Sequence, residues 1–391
     1  MIRSTTMYTY ELDDPAIAVQ EIMTQLEKIR LLKNTIGILM CDPEFIDSGV
    51  YPAVCQALPF AVAGATTMSQ GVNGVADILM LTLMVLTSDD VFFEAGFTEP
   101  IPNGGDALAP TKTVYEAVAA QLPEKPKLVL VFPPLLLQNS GDRYIEAFEG
   151  LCPDTPVFGT LAISDSIDFK NCCTLWNGES SLSRMAFILV AGNVSPHFFI
   201  ATVSNTNTLP YSGEITKSEG NIVQEINDVR TSEYFESIGF AKHGVLDEGI
   251  QFVPLRLDLK KRTDYDGVPV MRAMVTFDEN GYGVGRGNMY QNSVFTLINP
   301  TGDDTMKTST ELVDKLAAVT NPQAAIIFSC LVRRMTLGDK PLTEANMIVE
   351  KLSGLVPFMF AYAGGEICPT SHSPTKVTNR FHNYSIIACV L

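Results

Sequence analysis

Three times along the chain an apolar run gives way to a polar loop, an amphipathic helical stripe and a proline-led apolar run that closes near glycine. The first copy opens with "IGILM", Ile36 to Met40. Tyr51, Val54, Cys55 and Leu58 then recur at i, i+3, i+4 and i+7, and "PFAVAG" closes the unit at Gly64. The second opens with "LVLVF", Leu128 to Phe132, carries the stripe Tyr144, Ala147, Phe148 and Leu151, and closes with "PVFG" at Gly159. The third opens with "AAIIF", Ala324 to Phe328, carries Ala345, Ile348, Val349 and Leu352, and closes with "PFMFAYAGG" at Gly365. That spacing is one face of a helix, and the flanking runs have the length of buried strands. A helix joining two strands of one sheet predicts a parallel, right-handed crossover. Each unit is followed by a further strand-like run: "DILMLTLMVL", "RMAFILVAG" and "HNYSIIACVL". These runs predict antiparallel partners, so the fold class is α/β (α+β), with mixed sheets flanked by helices and a partial internal duplication of a strand-helix-strand unit.

Between the second and third units the period changes to two. "FVPLRLDL" and "PVMRAMVTFDENGYGVG" alternate apolar and polar positions, and Asp266-Gly267 and Asn280-Gly281 are turn signals, so this segment predicts antiparallel hairpins. The Ser-, Thr-, Asn- and Gly-rich stretch from Ser204 to Gly220 predicts a boundary between two domains, 1–205 and 206–391. Asp14 followed by Pro15 predicts a capped helix start near the N-terminus. Thr343 and Gly354 predict the N-cap and the residue after the C-cap of the third unit's helix.

Hydrophobic residues make up 46% of the 391, enough for two cores. The formal net charge of -17 opposes phosphate backbones and acidic bilayers, so neither nucleic acid nor membrane is expected as a partner. The apolar stretch Ala76 to Leu86 is too short to span a bilayer and predicts a strand. The first residues lack a secretory apolar region, which leads to a cytoplasmic expectation. The eight cysteines contain no C-x-x-C pair, which argues against zinc and leaves them reduced, mostly small core residues.

Ligands of open α/β sheets gather where strands end in loops. Three such ends are "FSCLVRR", "AGATTMSQG" and "AYAGGEICP", and they nominate Thr66, Thr67, Cys330, Arg333, Gly364, Gly365, Glu366 and His382 as ligand-binding residues. Glycine lets backbone approach a ligand, threonine offers hydroxyls, and Arg333 or Arg334 has the fork that holds a carboxylate. A cation near Cys330 would lower its thiol pKa. With His382 as base, that thiol would serve an acyl-transfer or hydrolytic enzyme, the alternative to a binding module. "GYGVGRG", Gly281 to Gly287, fails the dinucleotide fingerprint because Arg286 holds the final glycine position and no helical pattern follows.

These motifs carry a family likeness. "RAMVTFDENG", "AAIIFSCLVRRMTLG", "VPFMFAYAGGEICP" and the terminal "HNYSIIACVL" resemble the C-terminal domain of the FIST family, and "AVAGATTMSQG" and "TPVFGTLAISDS" are similar to its N-terminal domain. Ser69-Gln70 replaces a Gly-Glu of the family pattern, and Cys368 stands where glycine is usual. The resemblance implies a stand-alone bacterial sensory protein of signal transduction that binds a small ligand, amino-acid-like or haem, and reports to a separate signalling protein.

Overall fold

The computed structural model describes residues 1–165, 169–203, 207–247, 250, 252–259, 270–373 and 376–391. The Asp266-Gly267 turn and residues 204–206 of the expected boundary lie outside them.

Each recurring unit is a parallel strand–helix–strand. Asn34–Cys41 pairs with Ala61–Thr66, from Ile36 opposite Ala61 to Cys41 opposite Thr66, and helices Glu44–Asp47 and Val50–Ala57 make the crossover. Leu128–Phe132 pairs with Val157–Thr160 across helix Gly141–Leu151. Ala325–Cys330 pairs with Phe358–Ala363 across helices Leu331–Thr336 and Thr343–Leu352. The three trailing runs return antiparallel beside the first strand of each unit, as Leu81–Ser88, Ala186–Gly192 and Ser385–Val390.

Strand alternation divides the core. Ile36, Ile38 and Met40 of the first sheet and Leu128, Leu130 and Phe132 of the second meet in one central cluster with Ile326, Ile327 and Phe328 of the third. The opposite faces, Leu39 and Cys41 or Val129 and Val131, pack on the helical stripes. Both faces are dry, so these strands read as continuous apolar runs. Each large side chain buried here contributes about 1.5–3 kcal/mol.

After its second strand each unit sends out a hairpin that joins a neighbour's sheet. Met68–Val72 of the first unit pairs with Phe358–Ala363 of the third. Thr174–Trp176 of the second pairs with Ala61–Thr66 of the first. Glu366–Ser373 of the third pairs with Val157–Thr160 of the second. Two of the three sheets therefore contain strands from both sides of residue 205. Gly64 and Gly159 hold equivalent positions in the first two sheets. A Cβ there would lie 1.8 Å from the Leu39 carbonyl oxygen and 1.9 Å from that of Val131, so only glycine fits.

The period-two segment is a separate body. Its sheet runs in the order Thr208–Glu219, Val294–Ile298, Val253–Asp258, Val270–Phe277, Gly283–Gly285, Ile222–Ile226 and Val229–Arg230. Thr208–Glu219 also pairs with Ile222–Ile226, which closes six of the strands into an antiparallel barrel. Phe235, Leu255, Leu257, Met274, Phe295 and Leu297 fill it. The polar stretch in which the domain boundary is expected includes a twelve-residue strand, its composition set by one solvated face. Asn280-Gly281 turns as expected, with Gly281 at φ 75°.

Asp14 caps helix Pro15–Leu26 through the Ala16 and Ile17 amides. Thr343 is the first helical residue and not the cap, while Gly354 sits at φ 82° beyond the helix end, as expected. Among the described residues no helix is long and apolar enough to cross a membrane.

The barrel is fastened to the second unit through Arg272, which is fully buried. Its guanidinium donates to both Asp142 carboxylate oxygens at 3.2 Å, to the Phe381 carbonyl at 2.7 Å and to the Asn288 carbonyl at 3.0 Å. Asp142 also accepts the Asn288 amide at 2.7 Å and the Tyr290 hydroxyl at 3.1 Å. Removing one partner strands a buried charge, so Asp142→Ala is expected to lower unfolding free energy by about 3–5 kcal/mol in urea titrations. A loss below about 1 kcal/mol would show that the seam is held elsewhere.

Candidate functional site

The end of strand Ala325–Cys330 is where the thiol and two arginines meet. Cys330 packs with Met271 and Ala273 of the barrel and with Val332 and Tyr384 of the body, inside the apolar seam between them. Burial, followed by the neighbouring Glu366 carboxyl, raises its thiol well above the ordinary range. The thiolate lowering expected from Arg333 is therefore absent.

Arg333 points away from the strand mouth. It is fully buried and bonds Glu344 Oε1 at 2.8 Å, Ser309 Oγ at 2.6 Å, Thr308 Oγ1 at 3.0 Å, the Thr305 carbonyl at 3.0 Å and Ser329 Oγ at 3.1 Å. Each of its three nitrogens is engaged within the fold. Arg334, one residue on, donates to Ser69 Oγ at 3.1 Å and faces open space.

Glu366 and His382 are register partners on the third unit's hairpin, and both are fully buried. Neither carboxyl oxygen of Glu366 and neither ring nitrogen of His382 has a partner at good hydrogen-bond geometry among the described residues, although the Cys330 thiol and the Ser385 backbone lie close to Glu366 and the Cys368 backbone close to His382. Burial holds the Glu366 carboxyl well above the carboxylate range, against the lowering by Arg333 and Cys330. Burial, then Arg272 and Arg380, push His382 down to about 3. Burial thus favours the neutral form of both groups. His382 is not among the groups acting on Cys330.

Thr66 Oγ1 bonds the Cys173 carbonyl at 3.2 Å and the Cys173 amide at 2.9 Å, tying the second unit's hairpin to the first sheet. Thr67 Oγ1 accepts from Gln70 Nε2 at 2.9 Å. Gly364 donates its amide to the Leu161 carbonyl at 3.1 Å, and the Leu161 amide bonds the Gly365 carbonyl at 3.1 Å. Gly365 sits at φ 135° with Phe381 against it. Of the eight nominated residues, Cys330 and Gly364 line open space, and the others are buried within the fold.

That space begins as a cavity of about 30 Å³ bounded by Cys330, Gly364, Ile163, Ala273 and Asn383, room for one water. Phe169, Phe252, Arg286 and Leu331 line both this cavity and a cleft of about 650 Å³, so the two adjoin. The body supplies Met68, Ser164, Asp165, Leu331, Arg334 and Met335 to the cleft, and the barrel supplies Leu246, Ile250, Phe252, Thr276, Val284 and Arg286. Its size is that of ordinary small-molecule sites. The Arg286 guanidinium lies 5.8 Å from the Phe169 ring centre, within cation–π range. Among the described residues no carboxylate pairs with Arg286 or Arg334.

A mixed α/β body of three exchanged units carries an inserted barrel. The chain belongs to the FIST family: the FIST N domain matches residues 35–229 and the FIST C domain matches residues 231–369. FIST domains are associated with sensory signal transduction and small-ligand binding. No curated protein matches. Among solved structures, a cyanuric acid hydrolase from A. caulinodans is 11% identical, with 100% of this chain and 99% of that one covered and a TM-score of 0.33. PurLQS from Thermotoga maritima is 11% identical, with 100% and 72% covered and a TM-score of 0.18.

Sequence reasoning missed Arg286, Phe169 and Phe252. Arg286 stood inside "GYGVGRG", where a lone cation between glycines was the available signal. The two phenylalanines have no motif, and only the seam between bodies gives them a role.

Because burial raises the folded-state pKa of Glu366, unfolding at a pH between its ordinary 4.5 and the folded value releases a proton. The resulting stabilisation is complete below pH 4.5 and is lost progressively as pH rises toward the folded-state value. Glu366→Gln is expected to gain stability relative to wild type as pH rises above 5 in urea titrations. A difference that does not change with pH would mean the folded carboxyl is ionised.

Proposed function

We propose that the protein is a small-ligand-binding sensory protein whose ligand occupies the cleft between the three-unit body and the barrel. The observation that carries this reading is the cleft itself. Its walls come from two bodies, and it runs inward to the strand mouth at Cys330 and Gly364. The FIST association with sensing and small ligands supports it. The proposed contact set is Met68, Asp165, Phe169, Phe252, Arg286, Leu331 and Arg334, with Cys330 and Gly364 at the floor. Thr66, Thr67, Arg333, Gly365, Glu366 and His382 act behind it, fixing the loops that form the walls.

A ligand spanning the seam touches both bodies, so it favours the arrangement in which they lie closest, in proportion to its differential contacts. A separate signalling protein would read that shift. The raised Cys330 thiol and the depressed His382 weigh against the thiolate and the base that the cysteine-enzyme alternative needs.

The test is a metabolite panel read by melting temperature, with native mass spectrometry of the freshly purified protein. A cleft ligand at a hundredfold excess over Kd adds about 2.7 kcal/mol, a rise of a few degrees. Thr276, exposed on the cleft wall, is the place to block it. Thr276→Trp should leave the unliganded melting temperature unchanged and abolish the ligand-dependent rise. A rise that survives this substitution places the ligand elsewhere, and a panel with no stabilising compound and no retained mass ends the sensor reading.

A further inference from the structure

Two features of the cleft restrict what fills it. Its cations are unequal. Arg334 is tethered to Ser69 and lies close enough to Asp165 to feel its charge, whereas Arg286 has no carboxylate partner among the described residues. Arg286 is also placed inward, on the boundary between the cleft and the small cavity beneath it. The two fully buried guanidinium groups are answered by carboxylates: Arg272 has Asp142 and Arg333 has Glu344. Arg286 instead rests on the Phe169 ring, an arrangement that leaves its donors free. In a chain of formal net charge -17, an arginine without an acid partner among the described residues makes a local anion site.

The second feature is the apolar path outward. Phe252, Leu331, Ile250 and Leu246 line the walls from Arg286 toward the mouth. At the mouth Leu137, Val245 and Met335 are 54%, 63% and 40% exposed. Three large apolar side chains facing water around one opening cover something when it is present.

Resting on the cleft as the ligand site, we infer that the ligand is an amphipathic organic anion, its acid group held at Arg286 and its apolar chain or ring lying along Phe252 and Leu331 toward the Leu137–Val245–Met335 rim. The head group enters first and takes two hydrogen bonds from the guanidinium fork. The tail excludes water from that contact and is itself removed from water by the rim. A compact polar ligand would leave the apolar walls wet, and a neutral lipid would leave Arg286 without an anion.

The experiment uses the full chain and 8-anilinonaphthalene-1-sulfonate, itself an amphipathic anion, as the fluorescent reporter, with octanoate and octanol as competitors of equal chain length. Octanoate should displace the reporter at least tenfold more effectively than octanol. Arg286→Gln should erase that preference while leaving octanol unchanged, and Arg286→Lys should retain part of it. The wild-type comparison stands even where a variant does not fold. Equal competition by the two compounds overturns the acid-group assignment and leaves the cleft reading in place. Reporter binding that persists in Thr276→Trp, or no reporter binding to the wild type, overturns both.

Discussion

Hydrogen bonding between sheets that no single unit completes is the constraint on which the molecule depends. Each second strand would end as an open edge, with a row of unpaired amides and carbonyls. The neighbour's hairpin fills that edge, three times and in one direction around the body. The hairpins depart from the points where the second strands stop, so those ends are drawn together. There the junctions are crossed by main-chain bonds such as Ile163 to Thr66 at 3.0 Å and Gly364 to Leu161 at 3.1 Å. The strand mouths cluster because closure of the sheets requires it, and the cleft lies over that cluster.

Charge placement separates what holds the fold from what is available for recognition. Arg272 and Arg333 have no exposure and direct every guanidinium nitrogen to carboxylates, hydroxyls or carbonyls, as a charge taken out of water requires. Arg334 and Arg286 are partly open, and burial only lowers their pKa values from the usual range. Adjacent arginines thus have opposite roles. Helix Leu331–Thr336 turns one toward Glu344 inside and the next toward the cleft.

The threefold repeat was legible because every strand in it has two buried faces and every helix one, which leaves unbroken apolar runs beside a 3.6-residue stripe. Tyr51, Val54 and Cys55, and their counterparts Tyr144, Ala147 and Phe148, are buried as that stripe requires. The closure of the barrel was not legible. It depends on the pairing of Ile215 with Ile226, which period-two alternation cannot specify. The site was legible in part. Apolar runs ending in glycine and cysteine point to Cys330 and Gly364 at the floor. The choice between Arg333 and Arg334 depends on which helix face meets Glu344, and Arg286 comes from a hairpin far away in sequence.

The cyclic exchange also governs when the chain can finish folding. Val72 lies near the N-terminus, yet its partner is Met359. A ribosome adding about 5–20 residues per second emits that partner tens of seconds later. Until then Met68–Val72 has no sheet to join, and the central faces of the first two sheets lack the third. The nascent protein therefore carries wet apolar surface through most of its synthesis, and an early stop leaves a fragment suited to chaperones or proteases rather than to independent life.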